Sequence, residues 1–147
     1  MTDDISLSIA DHLTPGDLQR IEALLPQLSR TAGFDSERML ALIDSPNADL
    51  FLARESGRIL GMATLTTAPL VSGWHATIED VVVVEDARGR GIARLLLEAI
   101  IDETGRRGIP TLDLTSRPSR ESALRLYESV GFVRRDTNVL RFAPRSD

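Results

Sequence analysis

A chain of 147 residues with 42 % apolar content has room for one globular domain with its own core. It contains no cysteine, which excludes disulfides, thiolate metal sites and a cysteine nucleophile. The net charge of −5, the acidic start Met1-Thr2-Asp3-Asp4 and the lack of an apolar run of about 18 residues argue against a nucleic-acid partner, a signal peptide and a membrane span, so a cytoplasmic protein is expected.

Residues 6–10 alternate weakly and predict a first strand. Thr14-Pro15-Gly16-Asp17 then opens a helix: Thr14 caps it, Pro15 suits its first turn, and Asp17 favours its positive end. Leu18, Ile21, Leu24, Leu25 and Leu28 recur at helical spacing, with Pro26 expected to kink or shorten the helix. Asp35 or Ser36 caps a second helix whose apolar side is Met39, Leu40 and Ile43, and which stops before Pro46. Strands come next over residues 49–55, 58–68 and 74–84, joined by the Ser56-Gly57 turn and a short loop around Gly73 as an antiparallel meander. The third ends in four consecutive valines, Val81 to Val84, a run that suits a buried strand.

Residues 91–104 predict a helix with Ile92, Leu95, Leu96, Ala99 and Ile100 as its buried stripe, ended by Gly105 and Gly108. Residues 111–114 form a short strand. Ser119 caps a last helix, with Ala123, Leu124, Leu126, Tyr127 and Val130 on its inner side and Gly131 at its C-terminus. Two final strands, 132–135 and 139–142, turn at Asp136-Thr137-Asn138. The whole chain, 1–147, reads as a single α/β (α+β) domain: a mixed, mostly antiparallel sheet of about six or seven strands, about four helices, and one parallel strand–helix–strand crossover.

Between a strand and a helix lies Arg88-Gly89-Arg90-Gly91-Ile92-Ala93, with Arg94 next. The first N–H groups of a helix lack partners and carry partial positive charge, and glycines let a bound anion approach the backbone. A pyrophosphate is the natural guest. A tight turn with solvated arginines is the alternative. The loop lacks the Gly-Lys-Ser/Thr ending of a P-loop and the third glycine of a dinucleotide fold. All the basic residues of the chain are arginine, a composition that fits GC-rich codon usage as well as a chain with no lysine to acetylate.

Together with the strand before it and the helices after it, this loop lies in a segment, residues 78–132, that resembles the N-acetyltransferase superfamily called GNAT. Ile78-Glu79-Asp80-Val81-Val82-Val83 is similar to the family's fourth strand, Arg88 to Ala93 to its Q/R-x-x-G-x-G/A motif, Ala123-Leu124-Arg125-Leu126-Tyr127 to the A-x-x-L-Y of its last helix, and Gly131-Phe132 to the G-F just beyond that helix. The family often has Asn three residues before that helix alanine; here the position is Arg120, which could reach a phosphate instead. The resemblance implies the GNAT fold with a splay between the fourth and fifth strands, acetyl-CoA as cosubstrate, an amine acceptor, no metal, and pairing into a homodimer as some members do. It also implies cofactor contacts from Val81, Val82, Val83, Arg88, Gly89, Arg90, Gly91, Ile92, Ala93, Arg94, Arg120 and Tyr127, with a backbone N–H near Val82 or Val83 polarising the thioester.

Amide formation requires a neutral amine and a proton for the departing thiolate. Glu79 is the preferred base or water-positioning residue and Asp80 the second choice; as strand neighbours they should point to opposite faces. An amine anchor or a structural contact is the other reading of the pair. The resemblance gives Tyr127, the single tyrosine, as the acid that protonates the thiolate; plain core is its alternative. With no cysteine and no Ser/His elbow, direct attack in a ternary complex is expected rather than an acyl-enzyme. His75 could relay protons from its place on the Glu79 strand, but it and His12 read first as solvated or satisfied side chains. Trp74 and Phe34 read as core by default, or as acceptor-pocket lining. The acceptor stays open among a small-molecule amine, a peptide and a protein. Glucosamine 6-phosphate needs a basic subsite, for which Arg117, Arg120 and Arg135 are candidates. An inactive acyl-CoA-binding sensor is the reading from another class.

Overall fold

The computed structural model describes residues 4–116 and 120–144, and the chain divides after Thr115 into two compact units. In the first, β1 (Ile5–Ile9), β2 (Ala48–Glu55), β3 (Arg58–Leu70), β4 (Gly73–Val83) and β5 (Leu112–Asp113) form one sheet in sequence order. The first four strands run antiparallel, and β5 lies parallel to β4. Ser56 and Gly57, at φ 51° and 81°, both occupy the left-handed region that a two-residue hairpin requires.

Helix α1 (Pro15–Leu28) begins with a full capping box: Thr14 Oγ1 accepts the Asp17 N–H at 3.0 Å, and Asp17 Oδ2 accepts the Thr14 N–H at 3.1 Å. Asp17 is buried and meets Arg54 of β2 through both carboxylate oxygens, at 2.8 and 3.0 Å. The helix passes through Pro26 and ends where Ser29 N–H donates to Leu25 O. Helix α2 (Ser36–Asp44) is capped by Asp35 and buries none of its residues fully; Leu40 is 48 % exposed.

Helix α3 (Ile92–Arg106) packs on the sheet with Ile92, Leu96, Leu97, Ile100 and Thr104 buried. Leu97 thus takes the place expected of Leu95, which is left 36 % exposed. Close approach is licensed by Gly61 in the middle of β3: a Cβ there would lie 2.9 Å from Ile92 Cγ2 and 3.3 Å from Leu96 Cδ1. Leu52, Ile59 and Leu65 are the other large side chains buried completely among the described residues, each contributing roughly 1.5–3 kcal/mol by leaving water.

The second unit holds α4 (Glu121–Ser129). Ser119, its expected cap, lies outside the described residues. The helix closes as its glycine predicts. Gly131, at φ 114°, donates to Glu128 O, and Phe132 N–H donates to Tyr127 O at 3.0 Å, the paired bonds of a Schellman motif. Phe132 then meets the Tyr127 ring edge-on, with centroids 6.4 Å apart.

The two final strands expected at 132–135 and 139–142 do not form among the described residues, so the sheet has five strands rather than six or seven. Their apolar side chains find no cover: Val133 is 82 %, Val139 76 %, Leu140 89 % and Phe142 88 % exposed. The connecting Asp136-Thr137-Asn138 has no glycine to set a tight hairpin, and a lone pair of strands is marginal in water. Trp74 also departs from its default reading as core, being 51 % exposed at the β3–β4 hairpin.

Candidate active site

The loop Arg88 to Gly91 comes after a short 3₁₀ turn, Glu85–Ala87, at the end of β4. Gly89 and Gly91 stand at φ 82° and 78°, and a Cβ at either would meet nothing within 4 Å. Backbone conformation, not crowding, therefore demands glycine there. Gly91 is the N-cap of α3 and brings no side-chain oxygen, and no acidic residue occupies the first turn. Ile92 is buried against the sheet, Ala93 is half-buried, and the end of the helix stays open.

The loop arginines differ in their company. Arg88 donates from Nη2 to Gln27 Oε1 at 2.7 Å, a neutral partner on α1 that orients the guanidinium and leaves its charge intact. Arg90 forks onto Glu55 of β2 at 2.5 and 3.2 Å, and the guanidinium holds that carboxyl below its usual range. Arg94 faces Glu98 at 3.6 Å one turn along α3.

On β4, register with β3 runs Leu65↔Ile78 and Thr64↔Glu79, then resumes at Met62↔Val82 and Gly61↔Val83. Two residues of β4, Asp80 and Val81, therefore oppose Ala63 alone, a bulge in which Asp80 adopts φ 56°. Aspartate tolerates that left-handed region better than most residues. The expected strict alternation of Glu79 and Asp80 thus breaks at the bulge, and both side chains are exposed. Val82 is buried, with Val81 and Val83 half-buried. β5 pairs with β4 only at Ala76↔Leu112 and Thr77↔Asp113. Beyond Thr77 the outer edge of β4 has no strand partner among the described residues, so the parting of the fourth and fifth strands is present.

The face of β4 that carries Glu79 also carries Thr77 and His75 by alternation, and Thr64, Thr66 and Asp113 stand across from or beside them. Thr66 and Thr77 share a hydroxyl hydrogen bond of 2.5 Å, and His75 Nε2 lies 3.7 Å from Asp113 Oδ2. His12 instead bonds its neighbour Asp11 in solvent.

In the second unit, Tyr127 is buried, and burial pushes its phenol up from the ordinary value, with the charge of Arg120 partly opposing. Arg120 is exposed at the N-cap of α4, and Arg117 lies outside the described residues. Gln27, Glu55 and Gly61 were not singled out by sequence reasoning. Only Gly61 carries a signal, as a glycine inside a strand. Among the described residues no three His, Asp or Glu side chains converge as a metal set, and no helix is long and apolar enough to cross a membrane.

Residues 19–132 match the model of the Acetyltransferase (GNAT) family. A stretch of 58 residues is 47 % identical to the ribosomal protein bS18-alanine N-acetyltransferase of Salmonella typhimurium, covering 40 % of this chain and 39 % of that protein, so the match spans well under half of the relative's length. Over 140 residues the chain is 31 % identical to the N-alpha-acetyltransferase RimI of Mycobacterium tuberculosis, covering 91 % of this chain and 84 % of that one. Among solved structures, a Bacillus halodurans C-125 protein described as a transcriptional regulator superposes with a TM-score of 0.82 at 27 % identity, over 95 % of this chain and 99 % of that one.

Proposed function

The chain belongs to the GNAT acetyltransferase family, and from that premise we propose that it is an acetyl-CoA-dependent N-acetyltransferase acting on a primary amine in a ternary complex. The observation that carries this reading is the open start of α3, where a glycine N-cap and an oriented, uncompensated Arg88 offer positive potential to a diphosphate. The Val81–Val83 edge, lacking a strand partner among the described residues, would take the pantetheine amides as a strand is taken.

In the reaction the amine nitrogen bonds the thioester carbonyl carbon as the carbon–sulfur bond breaks. The ammonium first loses a proton to Glu79, or to water that it or Asp80 holds; the departing thiolate gains one from Tyr127, and the second proton that the nitrogen sheds as the amide forms restores the phenol. Tyr127 carries its proton at neutral pH as any phenol does, and burial, which pushes its pKa up, keeps it there while making it a weaker acid than a free phenol. A cytoplasmic location fits acetyl-CoA chemistry.

Thiol release from acetyl-CoA over a panel of amines tests the proposal. A peptide α-amine goes first in the panel, because the mycobacterial relative is named an N-alpha-acetyltransferase. Tyr127→Phe is expected to slow turnover at least about tenfold, roughly 1.4 kcal/mol of barrier, with little change in cofactor affinity. Micromolar cofactor binding without turnover on any amine would turn the assignment to an acyl-CoA sensor.

A further inference from the structure

We propose that the groove between α1 and the end of β4 is a second ligand site, for a free α-amino acid with an apolar side chain, and that its occupant steadies the cofactor loop through Gln27. The coupling rests on the N-acetyltransferase reading, which gives Arg88 to the diphosphate; the site itself does not.

Helix α1 lends the groove Arg20, Ala23, Leu24 and Gln27, spaced i, i+3, i+4 and i+7, so a single stripe of the helix forms one wall. Val84 and the 3₁₀-turn residues Glu85 and Asp86 form the other, and Arg58, the first residue of β3, joins them. The groove encloses about 490 Å³, a volume suited to a small molecule.

Of the half-buried arginines among the described residues, Arg54 has Asp17 and Arg90 has Glu55, whereas Arg20 has no carboxylate. Its Nε donates to Ile59 O at 3.0 Å, which holds the guanidinium against the sheet. Its Nη2 is the one buried side-chain nitrogen or oxygen without a hydrogen-bond partner among the described residues. A cation drawn out of water without a counter-charge is costly, and an anion placed beside it offsets that cost. Arg58 and Glu85 likewise make no ion pair among the described residues, and Asp86 only adds its field at Arg90. Charges of both signs therefore line one groove without neutralising one another. Glu85 and Asp86 would repel a plain polyanion, and Arg20 and Arg58 a polyamine. A zwitterion suits both: its carboxylate takes the arginines and its ammonium the acids. Ala23, Leu24 and Val84 give an apolar side chain its place.

Two observed bonds join the groove to the cofactor loop. Gln27 Oε1, in the helix wall, accepts from Arg88 Nη2 at 2.7 Å, and Glu85 O, in the turn wall, accepts the Arg88 N–H at 3.3 Å. A ligand held between the walls fixes both partners of Arg88, so less freedom is lost when the diphosphate arrives. Coupling is reciprocal, and coenzyme A tightens the amino acid by the same factor.

Calorimetry on the full chain, with L-leucine as probe and coenzyme A in place of acetyl-CoA, reads binding without turnover. Leucine should bind with a Kd below about 1 mM, and saturating leucine should tighten coenzyme A about fivefold. Leucinamide, which lacks the carboxylate, and N-acetylleucine, which lacks the ammonium, should each bind at least about tenfold more weakly. Arg20→Ala should weaken leucine about tenfold, and Arg58→Ala, a change at an exposed side chain that leaves the fold intact, several-fold. Glu79→Gln should leave leucine affinity unchanged; a loss there would put the amino acid in the acceptor site and overturn the proposal. Leucine that does not bind, that binds both arginine variants as tightly as wild type, or that leaves coenzyme A affinity unchanged overturns it too. Those results leave the acetyltransferase reading standing. Failure of wild type to bind coenzyme A would sink that reading and the coupling with it, while the leucine site stands or falls on its own titration.

Discussion

Helices α1 and α3 both begin after a strand and a short connection, yet their first turns are in opposite electrical states. At α1 the Thr14 hydroxyl and the Asp17 carboxylate close the reciprocal bonds of a capping box, and the carboxylate compensates the dipole. At α2, Asp35 Oδ1 likewise accepts from the N–H groups of Glu37 and Arg38 at 2.9 and 3.3 Å. At α3 the cap is a glycine without side-chain oxygen, the first turn has no acid, and Arg88, Arg90 and Arg94 flank it in sequence. The contrast separates a helix end closed by its own side chains from one left uncapped, the end that the proposed function assigns to the diphosphate.

The strongest way to break that contrast is to close α3. Gly91→Glu puts a carboxylate where the diphosphate is expected, and two charges about 4 Å apart repel by ~4 kcal/mol at an effective dielectric of 20. Cofactor affinity measured by calorimetry should fall at least about a hundredfold. Unchanged binding would remove the α3 terminus from the site, and with it the case for the function.

Opening α1 is the converse change, and its effect should appear in stability rather than binding. Asp17→Ala removes half of the capping box and leaves Arg54 without its carboxylate, holding only Gly57 O, so a loss of about 2–3 kcal/mol is expected, a drop of roughly 5–10 °C in Tm, with cofactor affinity unchanged. Acid does the same reversibly. Hydrogen bonding from Arg54 lowers the Asp17 pKa from 3.8 to about 2, against the opposing effect of burial. A depressed carboxyl stabilises the fold above its unfolded value, near 4, and that contribution, about 2 kcal/mol, is lost as pH falls from about 4 to about 2. Denaturation of wild type and Asp17→Ala along that pH range should therefore converge. A constant gap would show that the ion pair is not what Asp17 contributes.

The sequence made one side of this contrast as readable as the other, because caps and glycines are local signals. Thr14, Asp17, Asp35 and the loop glycines all stand where their chemistry predicted, and so does the Schellman closure at Gly131-Phe132. What escaped is long-range. The bulge at Asp80 depends on the register of β4 against β3, which no pattern within β4 reveals. Gln27 and Glu55, far from the loop in sequence, meet Arg88 and Arg90 only through the fold. The final strands failed for the same reason in reverse: residues 132–142 carry strand-forming side chains, but a ladder partner is a property of the sheet, not of the segment.

The mildest prediction sharpens the comparison inside the loop itself. Sequence alone offers Arg88 and Arg90 as equal anion ligands, each flanking Gly89. The structure gives them unequal charge: Gln27 orients Arg88 without neutralising it, whereas Glu55 engages Arg90 with both oxygens. A guanidinium already forked onto a carboxylate must break those bonds to reach a phosphate, so Arg90 holds the loop to β2 more than it holds the cofactor. Arg88→Ala should weaken coenzyme A about tenfold, with a shallower salt dependence of binding, and Arg90→Ala only about threefold. Adding Glu55→Gln sets Arg90 free, and the Arg88→Ala, Glu55→Gln double variant should regain part of the lost affinity. Equal losses for the two arginines, with no gain on releasing Arg90, would show that the ion pair with Glu55 opens at no cost when the cofactor binds.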